Sequence, residues 1–444
     1  MTSSSSCIQV TTVEGTIEGY TATDGDYYTF HGIPYAMSRV GADMFKPSTP
    51  PSALPGLLHA YDSGIQCARP GPDGMIGIIN CLVLNVFTSN VTTSRPVLVW
   101  LNGEESNPTV SSQYSFKRLI DEDVVVVSLN YRLSVFGFLC LRTEQHPGNA
   151  GLKDIILGLQ WIQRNIAVFG GDPNNVVLMG HGSAAAMVEL ITLVPQSENL
   201  VHKAIALSGS AIAPWAVSYD PIGAALTIHG ITGEGLQTID YIAYFLSIKT
   251  LNEMNSALNQ LKYTNNTQMF APCIENANLE GALLTDSPIN LLRAVFDYKN
   301  IPFMAAYTTR EGTKRANEAL SDRWLEEMQA NFTKFLPVDL DFGNNQESRA
   351  ESIRNFYFDS EPINMSLIER LRERIKTSKS SAWLVEFGYI GTNNSDWNHD
   401  QIPLNGARHG SMLNYIFDFD LNFYFDERVA DSIIKRISTF ARTG

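Results

Sequence analysis

The chain has 444 residues, 44% hydrophobic and 18% charged, the balance of a globular protein with a large core. A formal net charge of −14 repels phosphate backbones, which excludes nucleic acid as a partner and serves solubility before any steering of cations. No apolar run approaches the ~20 residues of a membrane span, so membrane attachment is expected only through segments outside this chain.

In chain order, Met1 to Cys7 is Ser-rich and has neither the basic nor the apolar region of a leader peptide. Pro47 to Pro55 is a surface loop, because proline fixes φ and removes a donor. Pro96 to Leu101 (PVLVWL) and Asp123 to Leu129 (DVVVVSL) are too continuously apolar for one-sided strands and are expected to be covered on both faces. Leu152, Ile155, Ile156, Leu159, Ile162 and Ile166 recur at helical spacing, and Gly170-Gly171-Asp172-Pro173 stops that helix. Asn175 to Met179 (NVVLM) is the next strand, and a small-residue turn, Gly180 to Ala186, leads into another helix. Lys203 to Leu207, Pro302 to Thr308 and Trp383 to Tyr389 are further strands; residues 216 to 300 and 312 to 380 are helical or irregular excursions. Alternating strands and helices predict an α/β fold with a mostly parallel sheet and its chemistry at the carboxyl ends of the strands.

Five Asn-x-Ser/Thr sequons, at Asn90, Asn265, Asn331, Asn364 and Asn393, point together toward the secretory pathway and the cell exterior. Among the five cysteines, Cys7, Cys140 and Cys273 have no evident partners, and Cys140 is expected to be buried as a small apolar residue.

Several segments together resemble the cholinesterase/carboxylesterase type B family. They are Gly32 to Ala36, Cys81 to Phe87, Pro96 to Gly103, Asn130 to Leu133, Phe136 to Phe138, Gly148 to Leu152, Gly170 to Asn175, Ser208 to Ser210, Pro214-Trp215, Glu311-Gly312 and His409-Gly410. Their order and spacing follow that family along nearly the whole chain. The resemblance implies one α/β-hydrolase domain over 1–444 that lacks the family's last strand and helix, which leaves dimerisation through that helix in doubt. It also implies a disulfide between Cys67 and Cys81 around a thirteen-residue loop, Ala68 to Asn80, worth ~3 kcal/mol in the chain-entropy account. That loop lacks the family's choline-binding tryptophan, so choline esters are not expected as ligands. Met44 and Ile79 stand where the family has a buried ion pair, and Arg132 and Asp172 match a second pair.

An esterase of this fold needs a serine on a strained G-x-S-x-G turn, a histidine base, a carboxylate behind it, and a glycine-rich oxyanion loop. Aligned without a gap, Gly180-His181-Gly182-Ser183-Ala184 puts Gly182 at the serine position. Losing that serine removes on the order of a million-fold in kcat in a protease with the same triad. Ser183, one residue on, is rotated by ~100° at a helix start and is expected to serve the helix terminus. In the oxyanion loop, Gly103 is followed by Glu104 and Glu105 where the family has glycines, and their charge opposes an oxyanion. Glu311 and His409 match the remaining triad members and are expected as a structural hydrogen-bonded pair. His181 is expected to be solvent-facing or hydrogen-bonded, with no metal and no cofactor at the site.

The chain is therefore expected not to be an enzyme. It resembles the family's non-catalytic adhesion members, of the neurotactin, neuroligin, glutactin and gliotactin kind, which implies an extracellular protein partner. The alternatives are a soluble pseudo-esterase that sequesters a small apolar ligand, and an atypical ester hydrolase using Ser183.

Overall fold

The computed structural model describes residues 7–101, 115–232, 238–261, 269–295, 301–312, 324–336, 345–358, 384–389, 406–407, 409–417 and 424–444. A run such as Val125–Leu129, buried at every position, must be covered on both faces, and the structure places it inside one large mixed sheet. Its strands are β1 (Cys7–Thr11), β2 (Thr16–Thr21), β3 (Tyr28–Pro34), β4 (Leu58–His59), β5 (Val83–Thr88), β6 (Arg95–Leu101), β7 (Val125–Leu129), β8 (Gly171–His181), β9 (Lys203–Leu207), β10 (Phe303–Thr308) and β11 (Leu384–Phe387). Their spatial order is β1-β2-β3-β5-β7-β6-β8-β9-β10-β11, with β4 added on β2. Pairing is antiparallel from β1 to β7 and parallel from β7 to β11.

Alternate side chains of the central strands feed two cores. Val97, Val99 and Leu101 belong to one face, Leu98 and Trp100 to the other. The helix Ala150–Asn165 lays Leu152, Ile155, Leu159 and Ile162 on the first face, in the periodicity read from the sequence. The second face is covered by the helix Tyr424–Thr443 through Ala430, Ile434, Ile437 and Ala441, and by Leu119 and Ile120 of Lys117–Asp121. Each fully buried leucine or isoleucine among these contributes ~1.5–3 kcal/mol.

The Lys203–Leu207 strand forms with the ends read from the sequence, Trp383 lies outside the described residues, and other predicted strands form with shifted ends. The Asp123 run begins only at Val125, because Asp123 turns at φ 61° and pairs with Arg95. The NVVLM strand extends from Gly171 to His181, and Gly170 ends the preceding helical turn at φ 84°. The excursions carry the helices Pro221–Thr232, Ile239–Ser247, Leu251–Asn259 and Pro288–Val295. Among the described residues, no helix is long and apolar enough to cross a membrane.

Cys67 and Cys81 are joined as the resemblance implied. Two other expectations are corrected. Cys140 is not an unpaired apolar residue: it is bonded to Cys273, 133 positions away, and only Cys7 is free and exposed. Arg132 does not pair with Asp172. Its Nε and Nη2 reach Asp154 Oδ2 and Oδ1, each at 2.7 Å, with the two side chains 2% and 0% exposed. Asp154 is fully buried on its helix, whereas Asp172, near the start of β8, accepts the Asn174 N–H. Breaking such a buried pair from one side costs ~3–5 kcal/mol. Met44 and Ile79 are both half-buried and packed against the first core.

Candidate functional site

In an open parallel sheet, ligands bind where the strand order reverses. Here β6 has β7 on one side and β8 on the other, so the reversal falls between β6 and β8. Leu101, the last residue of β6, is in register with Gly180 of β8. The carboxyl end of β6, at Leu101, therefore lies beside the turn that follows β8. Residues 102–114, with Gly103, Glu104 and Glu105 among them, lie outside the described residues, as do Asn265, Asn364 and Asn393.

The turn after β8 has the backbone of a nucleophile elbow. Gly182 sits at φ 59°, ψ −121°, and Ser183 opens the helix Ser183–Leu193 immediately after it. This part of backbone space is strained for any residue with a Cβ, by ~1–3 kcal/mol. The flanks identify the tip. A Cβ on Gly180 would stand 2.7 Å from the Ala184 carbonyl carbon, so positions 180 and 184 face each other across Gly182. Gly182 N–H donates to the Leu207 carbonyl at 2.9 Å, and a Cβ on Gly209 would meet the Gly182 carbonyl oxygen at 2.1 Å. The end of β9 thus clamps the turn from the other side. The residue at the strained tip is Gly182.

Glu311 and His409 approach from two loops clipped together. Arg310 N–H donates to the Ala407 carbonyl at 2.9 Å, and Ala407 N–H donates to Thr309 Oγ1 at 2.9 Å. His409 Nδ1 is hydrogen-bonded to Glu311 Oε2. The other oxygen of Glu311 accepts from Ser208 Oγ and from Thr308 N–H, both at 2.6 Å. Burial alone would raise the Glu311 carboxyl, yet the hydrogen bonds from His409, Ser208 and Thr308 outweigh it and hold it at about 2. With Glu311 ionised and acceptor-only, His409 donates from Nδ1, which fixes its tautomer and leaves Nε2 as the second ring nitrogen.

Two members of the cluster were not singled out as contributors by the sequence. Ser208 directly follows β9 at φ 56°, with its N–H on the Ala306 carbonyl at 2.7 Å. The signal for it was a hydroxyl directly after the carboxyl end of KAIAL. His181 is buried, not solvent-facing, and its ring lies 4.5 Å from that of His409 at an interplanar angle of 41°. Among the described residues, no group of three His, Cys, Asp or Glu side chains is placed to hold a metal ion. The arrangement can orient an imidazole, keep it in one tautomer and stabilise it when protonated. The tip that faces catalysis in this turn type carries no hydroxyl.

A family model described as the carboxylesterase family matches residues 5–444. Esterase FE4 of Myzus persicae is 29% identical over 469 residues, covering 96% of this chain and 82% of its own length. The juvenile hormone esterase of Heliothis virescens is 28% identical, covering 88% of this chain and 75% of its own. A crystal structure of juvenile hormone esterase from Manduca sexta, with OTFP covalently attached, superimposes with a TM-score of 0.84 at 22% identity, over 99% of this chain and 90% of that one.

Proposed function

The chain belongs to the carboxylesterase family, and within it we propose a member that binds rather than hydrolyses, and does so outside the cell. The single observation that carries this reading is Gly182 at the elbow tip, with Gly180 and Ala184 across from each other and β9 clamping the turn. A frame shifted by one residue, with Ser183 as nucleophile, would put His181 and Ala185 at the flanks, and His181 is a large buried ring lying tilted against His409. Without a nucleophile no acyl-enzyme forms, and the oriented imidazole has no hydroxyl at the tip to deprotonate.

The partner is proposed to be an extracellular protein. Two disulfides support an oxidising compartment, and the absence of a hydroxyl at the elbow tip, a feature expected of the family's non-catalytic adhesion members, is the ground for the class of partner. A second reading, retention of a small apolar ligand over the sheet edge, draws support from relatives whose names are those of esterases. It also draws support from the intact Glu311–His409–Ser208 set, which can hydrogen-bond a ligand it does not cleave.

Incubation of the purified chain with a fluorophosphonate probe and with p-nitrophenyl acetate tests the central claim. No covalent adduct and no turnover above the Gly182→Val variant are expected. Stoichiometric labelling at Ser183 would sink the proposal.

A further inference from the structure

We infer that Asn90 is a site of N-linked glycosylation, and that its glycan sits on the edge of the sheet opposite the candidate site. The inference rests on the extracellular reading above and adds a modification and a direction to it.

Of the five sequons, Asn90 and Asn331 lie in the described residues, and both are exposed. They differ in local geometry. Asn90 Oδ1 accepts two hydrogen bonds, from Thr92 N–H and from Thr92 Oγ1, both at 2.8 Å. This is an Asx-turn in which the hydroxyl required at the third sequon position grips the amide oxygen of the first. With Oδ1 turned inward, the amide nitrogen, the atom that is modified, makes no hydrogen bond among the described residues. The turn is anchored on both sides. Thr88 before it is fully buried and its Oγ1 donates to the Asn90 carbonyl at 3.2 Å, while Thr93 Oγ1 donates to the same carbonyl at 3.0 Å. Val91, between the two sequon residues, packs against the first core. The fold therefore holds this asparagine outward. Asn331 instead stands at the start of a helical turn, Phe332–Phe335, without a side-chain cap bond, its own N–H on the Glu327 carbonyl.

The topology gives the direction. Asn90 follows β5, which runs antiparallel to β7, so it emerges at the amino ends of the parallel strands. It is tied there through Thr93 Oγ1 to the Gly170 carbonyl at 3.3 Å, and Gly171 is in register with Arg95 at the start of β6. The elbow is at the other ends of the same strands. At ~3.3 Å per residue, the seven residues of β6 put roughly 20 Å between the two edges. A glycan on Asn90 covers the amino edge and leaves the carboxyl edge open to a partner.

The step is a glycosyl transfer from a lipid-linked oligosaccharyl diphosphate. The Asn90 amide nitrogen forms a bond to the reducing-end sugar carbon and releases one proton. The sugar–phosphate bond breaks, and the lipid diphosphate leaves with the electron pair.

The test is secretion of the full chain from cultured eukaryotic cells, followed by peptide mapping before and after peptide:N-glycosidase. The expected result is a glycopeptide spanning Asn90 that the glycosidase converts to the Asp form. Thr92→Ala should abolish it and Thr92→Ser should retain it. Mapping of the unaltered chain decides the matter even if a variant folds poorly. A secreted, disulfide-bonded chain with Asn90 bare overturns the inference, whether or not Asn331 is occupied, and leaves the binding reading standing. Ester turnover by a chain glycosylated at Asn90 would do the reverse.

Discussion

The two halves of the candidate site have opposite characters. At the turn after β8 the backbone is strained and its tip bears no side chain: Gly182 holds φ 59°, ψ −121°. At Glu311 and His409 the side chains are present and hydrogen-bonded to each other, and both Glu311 oxygens are engaged. The difference separates two kinds of constraint. The turn is enforced by packing, since Gly180 faces Ala184 and Gly209 faces the Gly182 carbonyl whatever the tip carries. The pair is enforced by the cost of stranding a half-buried carboxylate, ~1–3 kcal/mol for each unmet polar group. Neither constraint needs catalysis to persist.

Restoring the missing side chain is the strongest way to break this comparison. Gly182→Ser is expected to raise fluorophosphonate labelling ~100-fold or more over the parent chain, because the base and its carboxylate are already assembled. The labelled-peptide mass measures it. A folded variant that stays unlabelled would place a second defect at the segment after β6. Next in size is Gly209→Ala, whose Cβ would fall 2.1 Å from the Gly182 carbonyl oxygen. A loss of ~1–3 kcal/mol is expected, read from denaturant midpoints. By contrast Gly230→Ala, in the helix Pro221–Thr232 with nothing within 4 Å of the new carbon, should be neutral or stabilising.

A smaller effect is expected from Glu311→Gln. The folded carboxyl is held at about 2 against an ordinary 4.5, so its contribution to stability is complete above 4.5 and is lost as pH falls through about 2. The glutamine variant should be less stable at neutral pH and show a flatter stability–pH slope between those values, followed by urea titrations at stepped pH. Solvent screening of a side chain 32% exposed keeps the change below that of a fully buried pair. Ser183→Ala should do least: stability within ~1 kcal/mol and no change in ester turnover, measured with p-nitrophenyl acetate.

Much of this arrangement was legible in the sequence because it is local. A run like PVLVWL with no polar alternation dictates a strand covered on both faces, and a five-residue turn spaces its own flanks. What was not legible is long-range. Arg132 was matched to Asp172 by resemblance, but only the packed helix shows that Asp154 reaches two of its three guanidinium nitrogens. Cys140 and Cys273 carry no pattern that links them, because their neighbourhood exists only after the helical excursion folds back. For His181 the sequence left a solvent-facing and a hydrogen-bonded reading open, and only its place at the end of a central strand shows that the ring is buried.

The Cys140–Cys273 bond has one further consequence. β8, the elbow, β9 and, among the described residues, the five α-helices from Ala150–Asn165 to Leu251–Asn259 all lie between its two ends, so they are enclosed in a single covalent ring. A protease that nicks the backbone once within that ring would leave both fragments attached, and the nick would become visible only after a reductant is added. Closing so long a ring restricts the unfolded chain by ~5 kcal/mol in the entropic account, so reduction should loosen the elbow and its clamp together.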